Sequence, residues 1–314
     1  MTAIGLIINE RSNRVQSILS DLVHVAKQFP SVRAHVLNGI EGLDRTLADF
    51  NCARVDTVVV AGGDGTIQAA VTDAINRRRF DQSPDYVAVP CGMTNVIAAD
   101  CGLHGSPIDS LDRFLFRRTR GDVKRVRRPL MGVTIGDREP VYGFFLGAGA
   151  FTSAVKFSRT EIQAKGAARS LAMGLTIGGA IFNAAFGEKS TTPPLVADIA
   201  SENAPFDGPQ PLTMALMTTL KTLVLGVYPF WGQGEGGLAV TTIGFPSSRM
   251  LAAAPTVLRG KSAPWFREAG YESWRTNALD AEFAGTVVFD GEMFDVAPGE
   301  RMSIETTHDA GFLT

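Results

Sequence analysis

Four short apolar runs, at residues 3–9 (AIGLIIN), 34–37 (AHVL), 57–61 (TVVVA) and 86–89 (YVAV), alternate with stretches of helical periodicity near the start of the chain. A strand that is apolar along both edges of its pleat must be covered on both faces. That is the situation of a parallel sheet sandwiched by helices. Between the first two runs Val15, Ile18, Leu19, Leu22, Val25 and Ala26 recur at helical spacing, which predicts a helix over 14–29. Further helices are expected over 43–52 and from 66 to about 79. The N-terminal part therefore reads as a doubly wound, mainly parallel α/β domain.

The chain has 314 residues, more than one such domain needs. Past about residue 125 the texture changes. Runs at 127–135, 141–150, 211–220, 222–227, 238–243 and 285–294 read as strands divided by Gly, Pro and Asp turns. Helical spacing survives only at 160–186 and 247–258, and 192–211 reads as a long surface loop. A second, mainly antiparallel β-sandwich domain is the expectation.

Composition narrows the class. Hydrophobic residues at 45%, charged residues at 20% and a mean hydropathy of +0.09 describe a globular chain and exclude wholesale disorder. With Lys+Arg 30 against Asp+Glu 32 the net charge is -2, so no nucleic-acid partner is expected. Cys52, Cys91 and Cys101 form no CxxC pair, which predicts a reducing compartment, the cytoplasm. The N-terminus lacks a basic region and reads as a first strand rather than a signal peptide. Residues 170–187 are uncharged but carry Ser170, Thr176, Asn183 and several glycines. They predict a buried or interface-facing helix, suited to a greasy substrate, rather than a membrane span.

Chemistry concentrates at Gly62-Gly63-Asp64-Gly65-Thr66, directly after the third apolar run and before a helix. Consecutive glycines bring backbone N–H groups against an anion, and the helix N-terminus adds partial positive charge, so phosphate is the natural ligand. Asp64 suits such a loop if it meets a divalent cation, a water on that cation or a nucleophile's proton. Alternatively Asp64 and Thr66 merely cap the helix. A second loop at the next strand end carries Gly92, Thr94 and Asn95. Two loops at the C-terminal edge of a parallel sheet form a crevice for ligands. Late in the chain Asp290-Gly291 reads as a type I′ hairpin turn.

These motifs together, Ile8-Asn9 with Ser12, GGDGT at 62–66, Pro90-x-Gly92-x-Thr94-Asn95 and Asp290-Gly291-Glu292, resemble the diacylglycerol kinase catalytic family. That family comprises lipid kinases, including sphingosine kinase-like members, and is distantly similar to NAD kinases. The resemblance implies an α/β nucleotide domain over 1–128 joined by about 295–314, and a β-sandwich acceptor domain over 129–294. It implies ATP and magnesium, with transfer of the γ-phosphoryl group to the hydroxyl of diacylglycerol or a similar lipid. Gly62, Gly63, Gly65 and Thr66 would cradle phosphates, and Asn9, Ser12, Gly92, Thr94 and Asn95 would line the nucleotide site. Asp64 would sit by the metal, and Asp290 and Glu292 would form the acidic catalytic pair, Asp290 as general base. A structural magnesium held in some bacterial members corresponds here to Glu235. A lipid substrate and transient membrane contact by a cytoplasmic, peripheral enzyme are implied, and a homodimer is compatible with the resemblance. Alternatives are NAD kinase-like phosphorylation of a soluble acceptor and a catalytically silent nucleotide- or lipid-binding regulator.

The chain departs from the family pattern at Glu10 and Asn13, where Pro and Gly are usual, at Met93, where Thr is usual, and at Phe151, where many members place an acceptor-contacting Asp. The basic run Arg113, Arg117, Arg118, Arg120, Lys124, Arg125, Arg127 and Arg128 reads as a solvated face or as an attraction for anionic lipid.

Overall fold

The computed structural model describes residues 3–156, 194–223 and 226–314. The chain divides into two compact units, Met1–Arg128 with Asp309–Thr314, and Pro129–His308.

In the first unit four strands, β1 (Ala3–Asn9), β2 (Val32–Leu37), β3 (Val55–Gly62) and β4 (Asp85–Pro90), pair in parallel in the order β2-β1-β3-β4. Helices α1 (Val15–Lys27), α2 (Leu43–Cys52), α3 (Asp64–Asn76), α4 (Val96–Asp100) and α5 (Pro107–Thr119) connect or follow them. The runs in β1, β3 and β4 are buried on both faces, as their composition requires, whereas β2 buries only Leu37, with Ala34 and Val36 exposed, contrary to the expectation for its apolar run. Ile4, Leu6 and Ile8 alternate with Gly5 and Ile7, and the first set joins Val59, Ala61, Val87 and Val89 in a core with Val15, Leu22, Leu111 and Leu115 of α1 and α5. Each such aliphatic contributes about 1.5–3 kcal/mol by leaving water. On the opposite face Phe50 of α2 lies over Gly5, where a Cβ would come 2.4 Å from its ring. The register sets Asn9 beside Leu37 and Gly62 beside Pro90. All these strand ends therefore open on one edge of the sheet, and the helices start there.

The second unit is strand-rich and mainly antiparallel. One set runs β14 (Glu292–Val296), β13 (Gly285–Phe289), β7 (Phe145–Gly149), β9 (Gln210–Thr218), β10 (Leu238–Gly244) and β11 (Tyr271–Thr276). The other includes β5 (Arg125–Ile135) with β6 (Val141–Gly143), and β15 (Arg301–Leu313) with β12 (Ala278–Glu282). β8 (Leu195–Ala200) pairs with both β9 and β12 and joins the two sets. Inward residues of both, among them Met131, Leu146, Ile199, Met217, Val240, Leu279 and Ile304, make one core. Helix α6 (Met250–Leu258) packs Ala253, Ala254 and Val257 against a separate cluster that includes Phe230, Phe266 and Tyr271.

The expected mixed architecture, parallel α/β first and antiparallel strands second, is what the chain forms. Three local expectations change. The loop expected over 192–211 contains β8, whose inward Ala197 and Ile199 alternate with more accessible neighbours between Pro194 and Pro211. The run at 222–227 forms no strand in its described residues. The return to the first unit occupies Asp309–Thr314 rather than the stretch from about 295, because Arg301–Glu305 pairs antiparallel with β12. The helix expected over 160–186, with the uncharged stretch 170–187, lies outside the described residues. No described helix is long and apolar enough to cross a membrane.

Candidate functional site

The edge of the parallel sheet is organised by Asn9, the last residue of β1. Its Nδ2 donates to Thr66 Oγ1 at 2.8 Å, and its Oδ1 accepts from the peptide N–H groups of Arg11 at 3.0 Å and Gly39 at 3.2 Å. One buried amide thus ties the end of β1, the first turn of α3 and the loop after β2. Ser12 lies half-buried in the same turn and its N–H donates to the Asn9 carbonyl.

The glycines are required by packing. A Cβ on Gly62 would lie 2.8 Å from the Thr66 side chain, and a Cβ on Gly92 would lie 2.7 Å from Gly63 Cα. Backbone meets backbone here, and neither loop can yield without moving the other. Asn95 closes the second loop on itself in a left-handed conformation (φ 50°), accepting from Gly92 N at 2.7 Å and donating to Gly92 O at 3.0 Å.

Asp64 is locked between the two loops. Its Oδ2 accepts from Thr94 Oγ1 at 2.8 Å and Val96 N at 3.2 Å, and its Oδ1 accepts from Ile97 N at 3.2 Å. Val96 and Ile97 are the first two residues of α4, so Asp64 caps a helix other than the one it begins. Of the two uses foreseen for this residue, neither described the bond it makes. Burial pushes the Asp64 carboxyl above the usual carboxylate range, while the bonds from Thr94, Ile97 and Val96 pull it back. At the other end of α4 the Arg128 guanidinium pairs with the buried carboxylate of Asp100 and donates from Nη2 to the Asp100 carbonyl at 3.1 Å. The short helix is held by an anion at its positive end and a cation at its negative end, the arrangement its dipole favours.

The first turn of α3 is treated differently. Thr66 N and Ile67 N reach back to the Gly63 carbonyl at 2.9 and 3.3 Å. The N–H groups of Gly63, Asp64 and Gly65 find no acceptor among the described hydrogen bonds. Helix starts leave such donors exposed by construction, and an anion is their natural partner. Asn9, Gly62, Gly63, Asp64, Gly65, Thr66, Gly92, Thr94 and Asn95 are therefore brought together at one edge.

Asp290 lies in the second unit at the turn between β13 and β14. Asp290 (φ 47°) and Gly291 (φ 89°) are both left-handed, as the expected type I′ turn demands. The Asp290 carboxylate accepts from Phe144 N through Oδ2 and from Phe145 N through Oδ1, both at 2.9 Å, and its own N–H donates to Phe145 O at 2.9 Å. Gly143 makes this possible, since a Cβ there would fall 2.1 Å from Asp290 Oδ2. Glu292 is exposed at the start of β14, and Glu235 is exposed in the loop before β10. Among the described residues no cluster of three His, Cys, Asp or Glu side chains forms a cage for a metal. Phe151 is buried against Gly147 and stacks edge-on to Phe145 at 5.2 Å.

Sequence reasoning missed Thr219, 5% exposed, whose Oγ1 has no partner among the described residues. Its N–H donates to the carbonyl of Phe144, the residue whose N–H holds Asp290. No sequence pattern marks it. Half of the basic run is engaged in internal pairs: Arg118 with Asp56 at 3.0 Å, Arg125 with Asp85 at 2.7 Å, Arg117 with Asp122 at 3.5 Å, and Arg128 with Asp100. Arg120 lies 4.3 Å over the Phe116 ring.

Comparison with known proteins accords with this geometry. Residues 3–126 match the family model of the diacylglycerol kinase catalytic domain, so the resemblance carried by the glycine loops is borne out. A crystal structure of a diacylglycerol kinase from Bacillus anthracis str. Sterne aligns at a TM-score of 0.60 and 13% identity, covering 99% of this chain and 96% of that one. Two structures of candidate diacylglycerol kinases from the same organism align at TM-scores of 0.63 and 0.66, with 14% and 13% identity and the same coverage. At these identities the likeness shows the fold. No curated protein matches the chain.

Proposed function

We propose, for a chain whose residues 3–126 match the diacylglycerol kinase catalytic domain, that it is an ATP-dependent lipid kinase acting on the hydroxyl of diacylglycerol or a similar lipid. The observation that carries this reading is the unequal treatment of two neighbouring helix starts. The N-terminus of α4 is filled by the Asp64 carboxylate, whereas the N–H groups of Gly63, Asp64 and Gly65 at the start of α3 have no acceptor among the described residues. An open helix start beside one already closed by a carboxylate offers its N–H groups to an anion. Gly63, Gly65 and Thr66 bind the phosphates, with Gly62 and Gly92 allowing the loops to close up and Asn9, Ser12, Thr94 and Asn95 shaping the surroundings.

ATP with magnesium supplies the phosphoryl group and the charge neutralisation that its transfer needs. Asp64 offers little to a cation directly. Three of its roughly four lone-pair positions already accept protein donors, so it fits a hydrated ion met through the remaining one. Its main work is to hold the second loop against the first. Among the described residues Glu235 joins no group of three His, Cys, Asp or Glu side chains, and we assign it no metal. Asp290 takes the proton of the lipid hydroxyl at a carboxylate oxygen, its direction set by the Phe144 and Phe145 peptides. Glu292, exposed beside it in sequence, adds negative charge rather than a held base.

Labelled ATP offered with diacylglycerol in mixed micelles, and with NAD in a parallel reaction, tests the reading. Label in the lipid is the expected result. Label in NAD alone, or intact ATP binding with transfer to neither, rejects it.

A further inference from the structure

Helix α6 is a surface helix without a charged residue on either face. Surface helices ordinarily turn charge toward water, yet the outer face of this one presents Leu251, 57% exposed, with Ala252 and Pro255 beside it. Phe245 is exposed just ahead of it, at 42%. Cations frame the helix, Arg249 at its start and Arg259 and Lys261 past its end, all exposed, and no acidic residue occurs between Phe245 and Phe266.

The helix is presented rigidly. Its buried face rests on a cluster that includes Phe230, Phe266 and Tyr271. Within that cluster Trp265 stacks on Phe266 at 4.9 Å and Trp231 on Phe266 at 5.2 Å. Trp231 is itself half-buried, so the apolar outer contact belongs to Leu251 and Phe245.

We propose that α6, with Phe245, docks this unit onto an anionic lipid bilayer, Leu251 and Phe245 entering the acyl boundary and Arg249, Arg259 and Lys261 reaching the headgroups. An apolar stripe framed by long cationic side chains is the chemistry of an interfacial helix. A second copy of the chain is the poorer occupant. Two-fold pairing sets a surface against itself, bringing cations against cations, whereas an anionic leaflet complements all three and adds about fivefold affinity for each. The inference rests on the lipid-kinase reading only for its purpose, since it names how the enzyme meets a bilayer substrate.

The test is flotation of the full chain, without nucleotide, with phosphatidylcholine vesicles that contain or lack phosphatidylglycerol. Binding to the anionic vesicles, weakened by salt, is expected. Leu251→Glu should weaken it roughly tenfold or more, and Arg249→Glu with Lys261→Glu should weaken it comparably. Leu251 is exposed, so the fold should survive, and an unchanged melting temperature checks this. Transfer to a water-soluble short-chain diacylglycerol should persist in Leu251→Glu. No binding by the unaltered chain, or undiminished binding by these variants, overturns the proposal. Dissociation of a dimer by Leu251→Glu with vesicle binding unchanged overturns it in favour of a second copy. Vesicle binding without transfer to any acceptor leaves the docking surface standing and removes the kinase.

Discussion

Asp64 does its work by position as much as by charge. Its two oxygens face three donors, from Thr94, Val96 and Ile97. An amide in its place must turn an NH2 toward at least one of them. Asp64→Asn is therefore expected to cost about 1–3 kcal/mol of stability, read as a lowered urea midpoint or melting temperature, and to weaken nucleotide binding with it. Burial raises the Asp64 carboxyl above its unfolded value, which sets the sign of the pH dependence. The stability linked to this group is fully present below about pH 3.9 and is lost as pH rises through the raised folded value. Denaturation followed across that window should show this component in the unaltered chain and lose it in Asp64→Asn. A protonated carboxyl keeps oxygen at both positions and an amide does not, so the two perturbations differ in size. Thr219 gives the opposite case. Its hydroxyl is buried with no partner among the described residues, so Thr219→Val, of the same shape, should leave stability unchanged or raise it by up to about 1 kcal/mol. A clear loss in the denaturation midpoint would show that the hydroxyl is bonded after all.

At the scale of elements, the two glycine loops behave as one part. A methyl at Gly92 meets Gly63 Cα at 2.7 Å, and overpacking of that kind costs about 1–3 kcal/mol. Gly92→Ala should accordingly weaken ATP binding by roughly tenfold or more, measured by calorimetry. Unchanged affinity would mean that the loops are not coupled. The strands and helices of the first unit were legible because most of its apolar runs are buried on both faces and end at a glycine or polar turn, as at Ala3–Asn9 and Val55–Gly62, while β2, largely exposed, was read from the same pattern without that burial. The second unit was less legible. β8 sits between prolines, β11 (YESWRT) carries Glu272 and Arg275, and β12 (ALDAE) carries charge on alternate residues because one face meets water. Their pairing with strands distant in the chain leaves no local mark. The site was legible as residue types, through GGDGT and the late Asp-Gly, but not as bonds. That Asp64 caps α4, that Phe144 and Phe145 hold Asp290, and that Arg128 clamps Asp100 all depend on backbone groups or partners brought together only by folding.

For the whole molecule, the proposed function gives the first unit the nucleotide and the second unit the proton acceptor and the contact with lipid. Asp290→Asn separates these tasks, because Asp290 belongs to the second unit and the glycine loops proposed to hold phosphate belong to the first. ATP affinity should stay within about twofold, while removal of a general base lowers turnover by roughly 10²–10⁴-fold. The most direct test is a single experiment: phosphoryl transfer from labelled ATP to diacylglycerol in mixed micelles, by the unaltered chain and by Asp290→Asn, with ATP binding and melting temperature recorded for both. Label in the lipid with the first chain, and its loss in the second with ATP binding kept, is the predicted result. Equal transfer by both chains, or no lipid labelled by an unaltered chain that binds ATP, contradicts the account.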